Sequence, residues 1–236
     1  MTTRRLIDPL LVTATVSAAD HAGRYHALTL AGPGLVGLSW VPGHHARIQV
    51  GSANALVDRL LGALRTYTVW DYAGDAIELR VLDHGDGPGA RWAREATVGD
   101  EVRLIKPYGS FVTRTGAYHL FVGEETAQAA FGPMIRGLGE DATTYAVIET
   151  DTAAEELPLP GAVSRTHRNG ASAVRSQLLV DALAALELPE EPGTAYVAGE
   201  AGTIQMVRDH LVRDRGWGRR DVVTKPFWAP GRTGLD

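Results

Sequence analysis

The chain contains no cysteine among its 236 residues. That excludes disulfides, thiolate metal sites, iron–sulfur clusters and a thiol nucleophile. No apolar run reaches membrane-spanning length, and Met1-Thr2-Thr3-Arg4-Arg5-Leu6 carries no apolar signal core. The expectation is a cytoplasmic protein without membrane insertion. Net positive charge is absent as well: a formal charge of −5, with no basic tail or stripe, argues against nucleic-acid binding. No Gly-x-Ser-x-Gly elbow, His-Glu-x-x-His pair or P-loop occurs, so hydrolase, zinc-protease and triphosphatase chemistry lack support. The Gly-x-Gly-x-x-Gly fingerprint of a standard dinucleotide turn is also missing.

What is present is a hydrophobic fraction of 44%, enough for the core of one large domain or two small ones. The first half reads as short strands: Leu11 to Val16, Tyr25 to Leu30, Ala46 to Val50, Arg65 to Trp70, Ile77 to Leu82 and Glu101 to Ile105. A short helix is expected over Asn54 to Leu64. Six strands with few helices suggest a closed antiparallel barrel, which leaves no sheet edge exposed. Beyond Gly109-Ser110-Phe111 strands and helices alternate, which implies a parallel sheet covered on both faces. Strands are expected at Ala117 to Val122, Thr143 to Ile148, Thr194 to Ala198 and Val222-Val223. Helices are expected at Glu125 to Leu138, Ser172 to Leu186 and Thr203 to Arg213. The boundary falls near residues 112–116, giving domains over 1–113 and 114–236.

Two elements carry the chemistry. Arg65-Thr66-Tyr67-Thr68 sets a guanidinium, a phenol and hydroxyls on one extended segment, with Tyr67 leaving one face and the threonines the other. Gly87-Pro88-Gly89-Ala90-Arg91-Trp92-Ala93 sets a glycine-rich turn at the head of an amphipathic stretch, where free backbone amides and Arg91 suit a diphosphate. An ordinary strand explains the first element, and an ordinary turn into a helix explains the second. Together, in this order, they match the needs of a flavin nucleotide: a platform and polar groups for the ring, and a helix start for the diphosphate. His44-His45 follows Pro42-Gly43, but adjacent strand residues face opposite ways, so a packed or exposed pair is expected rather than a metal site.

The ordered set Arg65-Thr66-Tyr67-Thr68-Val69, His84-Gly85-Asp86-Gly87-Pro88 through Arg91-Trp92-Ala93, Gly99-Asp100, Lys106 to Phe111, Val122 to Ala127, Ala198 to Ala201, and Phe227-Trp228 with Gly231 resembles the siderophore-interacting proteins. These are also called ferric-siderophore reductases, and they sit within the ferredoxin-reductase-like flavoproteins. The resemblance runs from about residue 8 to the C-terminus. It implies a six-stranded antiparallel FAD-binding β-barrel followed by an α/β NAD(P)H-binding domain with a parallel sheet. It assigns Arg65, Thr66, Tyr67, Thr68 and Val69 to the flavin ring and ribityl phosphate, and His84 and Gly85 to the flavin side of the next loop. Gly89, Ala90 and Arg91 fall to the diphosphate, Thr126 to the flavin–nicotinamide junction, and Trp228 to the flavin. Arg165 and Arg168 are candidates for the 2′-phosphate of NADPH, although a solvated basic loop explains them equally; the cofactors expected are FAD with NADPH or NADH.

The chain departs from the family pattern at Trp70, where a second arginine is usual, at Glu124 for aspartate, at Ala129 for proline, and at Arg165 for tryptophan. Two acidic residues at a phosphate-binding turn would repel a diphosphate, so Glu124 and Glu125 are expected to point elsewhere or cap the helix. The activity implied is reduction of a ferric siderophore by NAD(P)H, with no general acid, base or protein metal ligand. Lys106, Lys225 and Arg232 are the candidates for a basic substrate surface. The alternatives are another flavin reductase of this architecture, or a binding module that has lost FAD.

Overall fold

The computed structural model describes residues 11–50 and 64–232. The expected helix over Asn54 to Leu64 lies outside these residues, apart from Leu64, which opens a strand. Two compact units divide the chain, Met1–Val112 and Thr113–Asp236.

The first unit contains β1 (Leu11–Ala22), β2 (Tyr25–Ala31), β3 (His45–Gln49), β4 (Leu64–Ala73), β5 (Ala76–Leu82) and β6 (Glu101–Tyr108). They close into a barrel in the order β1-β2-β5-β4-β3-β6, every pairing antiparallel. Alternation dictates the interior: Val16, Leu28, Leu30, Ile48, Ile77, Leu79 and Leu104 are all buried in one core. A register shift in β4 between Val69 and Asp71 breaks the alternation. Both Val69 and Trp70 are therefore buried in succession. The Arg80 guanidinium lies 5.5 Å over the Trp70 ring. One helix, α1 (Pro88–Glu95), follows β5 and contributes Ala93 and Trp92 to the barrel core.

The second unit is a five-stranded parallel sheet built from β7 (His119–Glu124), β8 (Thr144–Thr150), β9 (Val163–His167), β10 (Thr194–Glu200) and β11 (Val222–Trp228). Its order is β11-β10-β7-β8-β9. Every residue of β7 and of β10 is buried, as a sheet covered on both faces requires. On one face α2 (Gln128–Leu138) packs Phe131 edge-on against Phe121, ring centroids 5.3 Å apart. On the other, α3 (Gln177–Ala184) and α4 (Ala201–Asp209) set Leu179, Leu183, Ile204 and Val207 against Leu120, Val122 and Val197.

The barrel and the covered parallel sheet are the architecture expected from the sequence. Three details differ. Residues 163–167 form a strand rather than a loop, and the last strand runs on to Trp228. The helix expected from Ser172 begins only after Ser176, because Arg175 takes a positive φ of 53° that no helix accommodates.

Candidate functional site

In the first unit β4 and α1 meet at the residues the sequence singles out. Arg65 and Tyr67 pair across the ladder with Ile48 and Ala46, while Thr66 and Thr68 pair with Arg47 and His45. Arg65 and Tyr67 thus share the face on which Ile48 and Ala46 are buried. The start of α1 presses onto that face: a Cβ on Gly89 would overlap the Tyr67 hydroxyl and come within 3.4 Å of the Arg65 stem. One turn on, the Trp92 ring stacks on Tyr67, with centroids 5.7 Å apart and planes inclined by 28°. Burial pushes the Tyr67 phenol well above its ordinary range, against the pull of Arg65, so it stays a neutral hydroxyl at any physiological pH.

The N-terminus of α1 is open. Its N-cap is Gly87, no side chain caps it, Pro88 occupies the first turn, and no acidic residue lies there. Ala90 is buried beneath, whereas Arg91 is exposed and donates to the Asp86 carbonyl at 3.3 Å. His84 and Gly85 lie in the exposed loop before the helix. That loop is held at its base by Arg94, which donates to Asp83 Oδ1 at 2.6 Å and to the Gly85 carbonyl at 3.0 Å. Amides that no side chain caps, beside a guanidinium and a tight glycine contact, are features that fit a flavin dinucleotide's diphosphate.

Among the described residues no group of three or more metal-ligating side chains gathers at His44 and His45 or elsewhere. His45 instead packs on the exposed Tyr108, with ring centroids 4.6 Å apart. Lys106 is exposed on β6 of the barrel unit. Lys225, half-buried on β11, and the exposed Arg232 belong to the second unit.

At the carboxyl ends of the second sheet the picture reverses. The strand order changes direction between β7 and β10, and open α/β sheets bind ligands beyond the strand ends at that point. Both strands end in Gly-Glu there. Glu124, 1% exposed, accepts from the Thr126 amide at 2.8 Å, from the Thr126 hydroxyl and from the Trp228 indole at 3.0 Å. Glu200, 2% exposed, accepts from the amides of Gly202, Thr203 and Arg175 at 2.9, 2.7 and 3.1 Å. Burial, followed by the neighbouring Glu125, pushes the Glu124 carboxyl up to about 7. Burial also works against charge on Glu200, but its amide donors outweigh that and hold the carboxyl below its ordinary range.

Arg165 and Arg168 occupy different surroundings from those expected. The Arg168 side chain is only 6% exposed and donates to Glu125 at 2.6 and 2.7 Å and to Glu149 at 3.2 Å. Glu149 in turn accepts from the Ser176 hydroxyl at 2.5 Å. Arg165 donates to Gln128 Oε1 at 3.1 Å and to the Leu157 carbonyl at 2.7 Å, and pairs with Glu156. The pair does not form a solvated loop: Arg165 lies on β9, and both guanidiniums already serve protein acceptors. Sequence reasoning foresaw that Glu124 caps its turn but missed its bond to Trp228, 104 residues away. The signal available was the repeat of Gly-Glu at 123–124 and 199–200.

Comparison with known proteins agrees with this geometry. Residues 18–111 match the siderophore-interacting FAD-binding domain, and residues 116–231 match the siderophore-interacting protein family. Ferric vibriobactin reductase ViuB of Vibrio cholerae is 26% identical over 176 residues, 71% of this chain. The chain spans just under two thirds of that relative's length, 65%. A siderophore utilization protein from T. fusca superposes with a TM-score of 0.81 at 26% identity, covering 96% of this chain and 95% of the other. The siderophore-interacting protein SipS from Aeromonas hydrophila gives a TM-score of 0.79 at 22% identity, covering 94% and 93%. With family matches across both units, the chain belongs to the siderophore-interacting proteins.

Proposed function

We propose that the protein is an FAD-dependent reductase that takes electrons from NADH or NADPH and delivers them to a ferric siderophore in the cytoplasm. The observation that carries this reading is the meeting of Arg65 and Tyr67 with the uncapped start of α1, inside the FAD-binding match. Arg65, Gly89, Ala90 and Arg91 would hold the diphosphate; Tyr67, Thr66, Thr68 and Val69, with His84 and Gly85, would hold the remainder of the cofactor. When bound, the flavin supplies the passage from a two-electron hydride donor to one-electron ferric acceptors.

The chain's own residues position and shield. Trp92 fixes the Tyr67 ring, and the neutral phenol keeps a hydrogen-bonding group beside Arg65 without adding negative charge. Thr126 and Trp228, joined through Glu124, are the residues proposed to meet the donor and the flavin. Lys106, Lys225 and Arg232 would attract a chelate that is negative or neutral, a local need in a protein of charge −5. Ferric ion prefers hard anionic oxygen ligands, and reduction weakens that preference, so iron arrives and leaves with its chelator. No protein metal ligand takes part.

The test is an absorbance spectrum of the purified protein before and after anaerobic addition of NADH or NADPH. A ferric chelate and a ferrous-specific dye are then added. The expected result is one flavin per chain, bleaching by the donor, and ferrous dye formed in step with donor oxidation. A colourless protein that refuses added FAD overturns the proposal in favour of a binding module. Bleaching without ferrous release points instead to another flavin reductase.

A further inference from the structure

We infer that Glu124 and Glu200 are specificity-determining residues that close both strand-end turns of the second unit to a diphosphate. A pyridine dinucleotide donor is then held by its nicotinamide mononucleotide half. The inference rests on the donor reading above.

The two turns flank the position where the strand order reverses, the place where a parallel sheet ordinarily receives a dinucleotide. What makes such a turn attractive to a diphosphate is a set of backbone amides without acceptors. Here those amides are taken. Glu200 gathers two of them, from Gly202 and Thr203, together with the Arg175 amide from the segment before α3 and the Thr203 hydroxyl at 3.1 Å, and Glu124 takes the Thr126 amide and hydroxyl. The carboxylates are built in rather than draped over. Gly199, at a φ of 127°, leaves room for Glu124, whose Oε1 would lie 2.5 Å from a Cβ there. The stem of Arg175 also lies across the start of α4, 2.8 Å from where a Gly202 Cβ would stand.

Charge tells the same story. Glu124, Glu125, Glu149 and Glu200 crowd these strand ends, all of them buried. The guanidinium buried among them, Arg168, is spent on Glu125 and Glu149. An entering diphosphate would have to displace a carboxylate already making the same charge-assisted bonds, and would face its neighbours' repulsion. By contrast, the α1 end has neither a capping side chain nor an acidic residue in its first turn. Within one chain the two kinds of helix entrance are sorted, one open to phosphate and the other filled.

ADP-ribose is the probe, titrated calorimetrically into the purified full-length protein supplied with FAD. The wild type is expected to show no saturable binding at concentrations below about 1 mM, and Glu200→Ala, which frees the amides, to bind at least about tenfold more tightly. Reduced nicotinamide mononucleotide should support donor oxidation with a kcat/KM within about threefold of NADH. Micromolar binding of ADP-ribose by the wild type overturns the inference, as does an advantage of about thirtyfold or more for NADH. A folded Glu200→Ala protein with unchanged ADP-ribose binding removes Glu200 from the role. If the variant does not fold, the wild-type titration decides alone. Failure of the reductase reading shows separately, as absence of flavin colour, and leaves the ADP-ribose result interpretable.

Discussion

The Trp228 indole donates to Glu124 Oε1 at 3.0 Å, fastening the last strand to the turn that follows the sheet's central one. The carboxyl at the centre of that link carries a pH signature. Its ordinary value is 4.5, and burial followed by Glu125 moves it to about 7 in the folded protein. A group whose pKa rises on folding holds more protons folded than unfolded. Its contribution is complete below 4.5 and disappears as pH climbs through about 7. Glu124→Gln should flatten this fall, removing on the order of 2–3 kcal/mol of the stability difference between pH 5 and pH 8. Urea unfolding at the two pH values measures it; identical slopes for wild type and variant refute the assignment. Trp228→Phe, which removes a donor to the ionised form, should shift the fall to still higher pH.

Gly89→Ala separates a steric requirement from a conformational one. In the interior of a helix, alanine normally stabilises by roughly 0.5–1 kcal/mol over glycine. Here the new methyl would overlap the Tyr67 hydroxyl. We expect a loss of about 1–3 kcal/mol, with the Tyr67–Trp92 stack disturbed and flavin content reduced. Thermal melting and the ratio of flavin to protein absorbance report both, and a more stable, fully yellow variant would contradict the contact.

Arg168→Ala leaves the buried Glu125 and Glu149 without their shared guanidinium. Breaking such a pair costs about 3–5 kcal/mol, because the charges left behind stay desolvated. Chemical denaturation should show a loss of that size. The KM values for NADH and NADPH should move together, within about threefold of each other. A loss confined to NADPH would support the 2′-phosphate role.

Arg65→Gln tests the barrel's hold on the flavin diphosphate. Removing a charged hydrogen-bond donor should weaken FAD binding by about 10- to 100-fold, on the scale of 1.5–3 kcal/mol. The barrel should still fold, since Tyr67 and Trp92 are untouched. Fluorescence titration of the apoprotein measures the affinity, and unchanged binding removes Arg65 from the site.

The barrel was legible because its strands alternate and one face of each is buried, as in Ala27-Leu28-Thr29-Leu30. β9 was not, because it is a short, polar edge strand with no fully buried residue, so alternation leaves no apolar trace. The start of α3 was expected at Ser172, four residues before the true cap at Ser176. Both hydroxyls accept a nearby amide, and only the Arg175 backbone separates a local turn from the true cap. The burial of Arg168 was not legible because its carboxylate acceptors come from distant parts of the chain. Arg168 and Glu125, for instance, are 43 positions apart. Pairing across such distances is a property of the folded sheet. Arg65, Tyr67 and Gly89 were readable because each element shows its own local chemistry, and the fold only had to bring them into contact.

The sheet order has a consequence for biosynthesis. β7 is the central strand, yet β10, which completes one of its flanks, leaves the ribosome only after β8 and β9. Until then the edge of a strand that is wholly buried in the finished fold stays unpaired on the nascent chain. A polypeptide truncated between α3 and β10 would keep that edge permanently. It should accumulate as aggregate, whereas truncation after Trp228 should not.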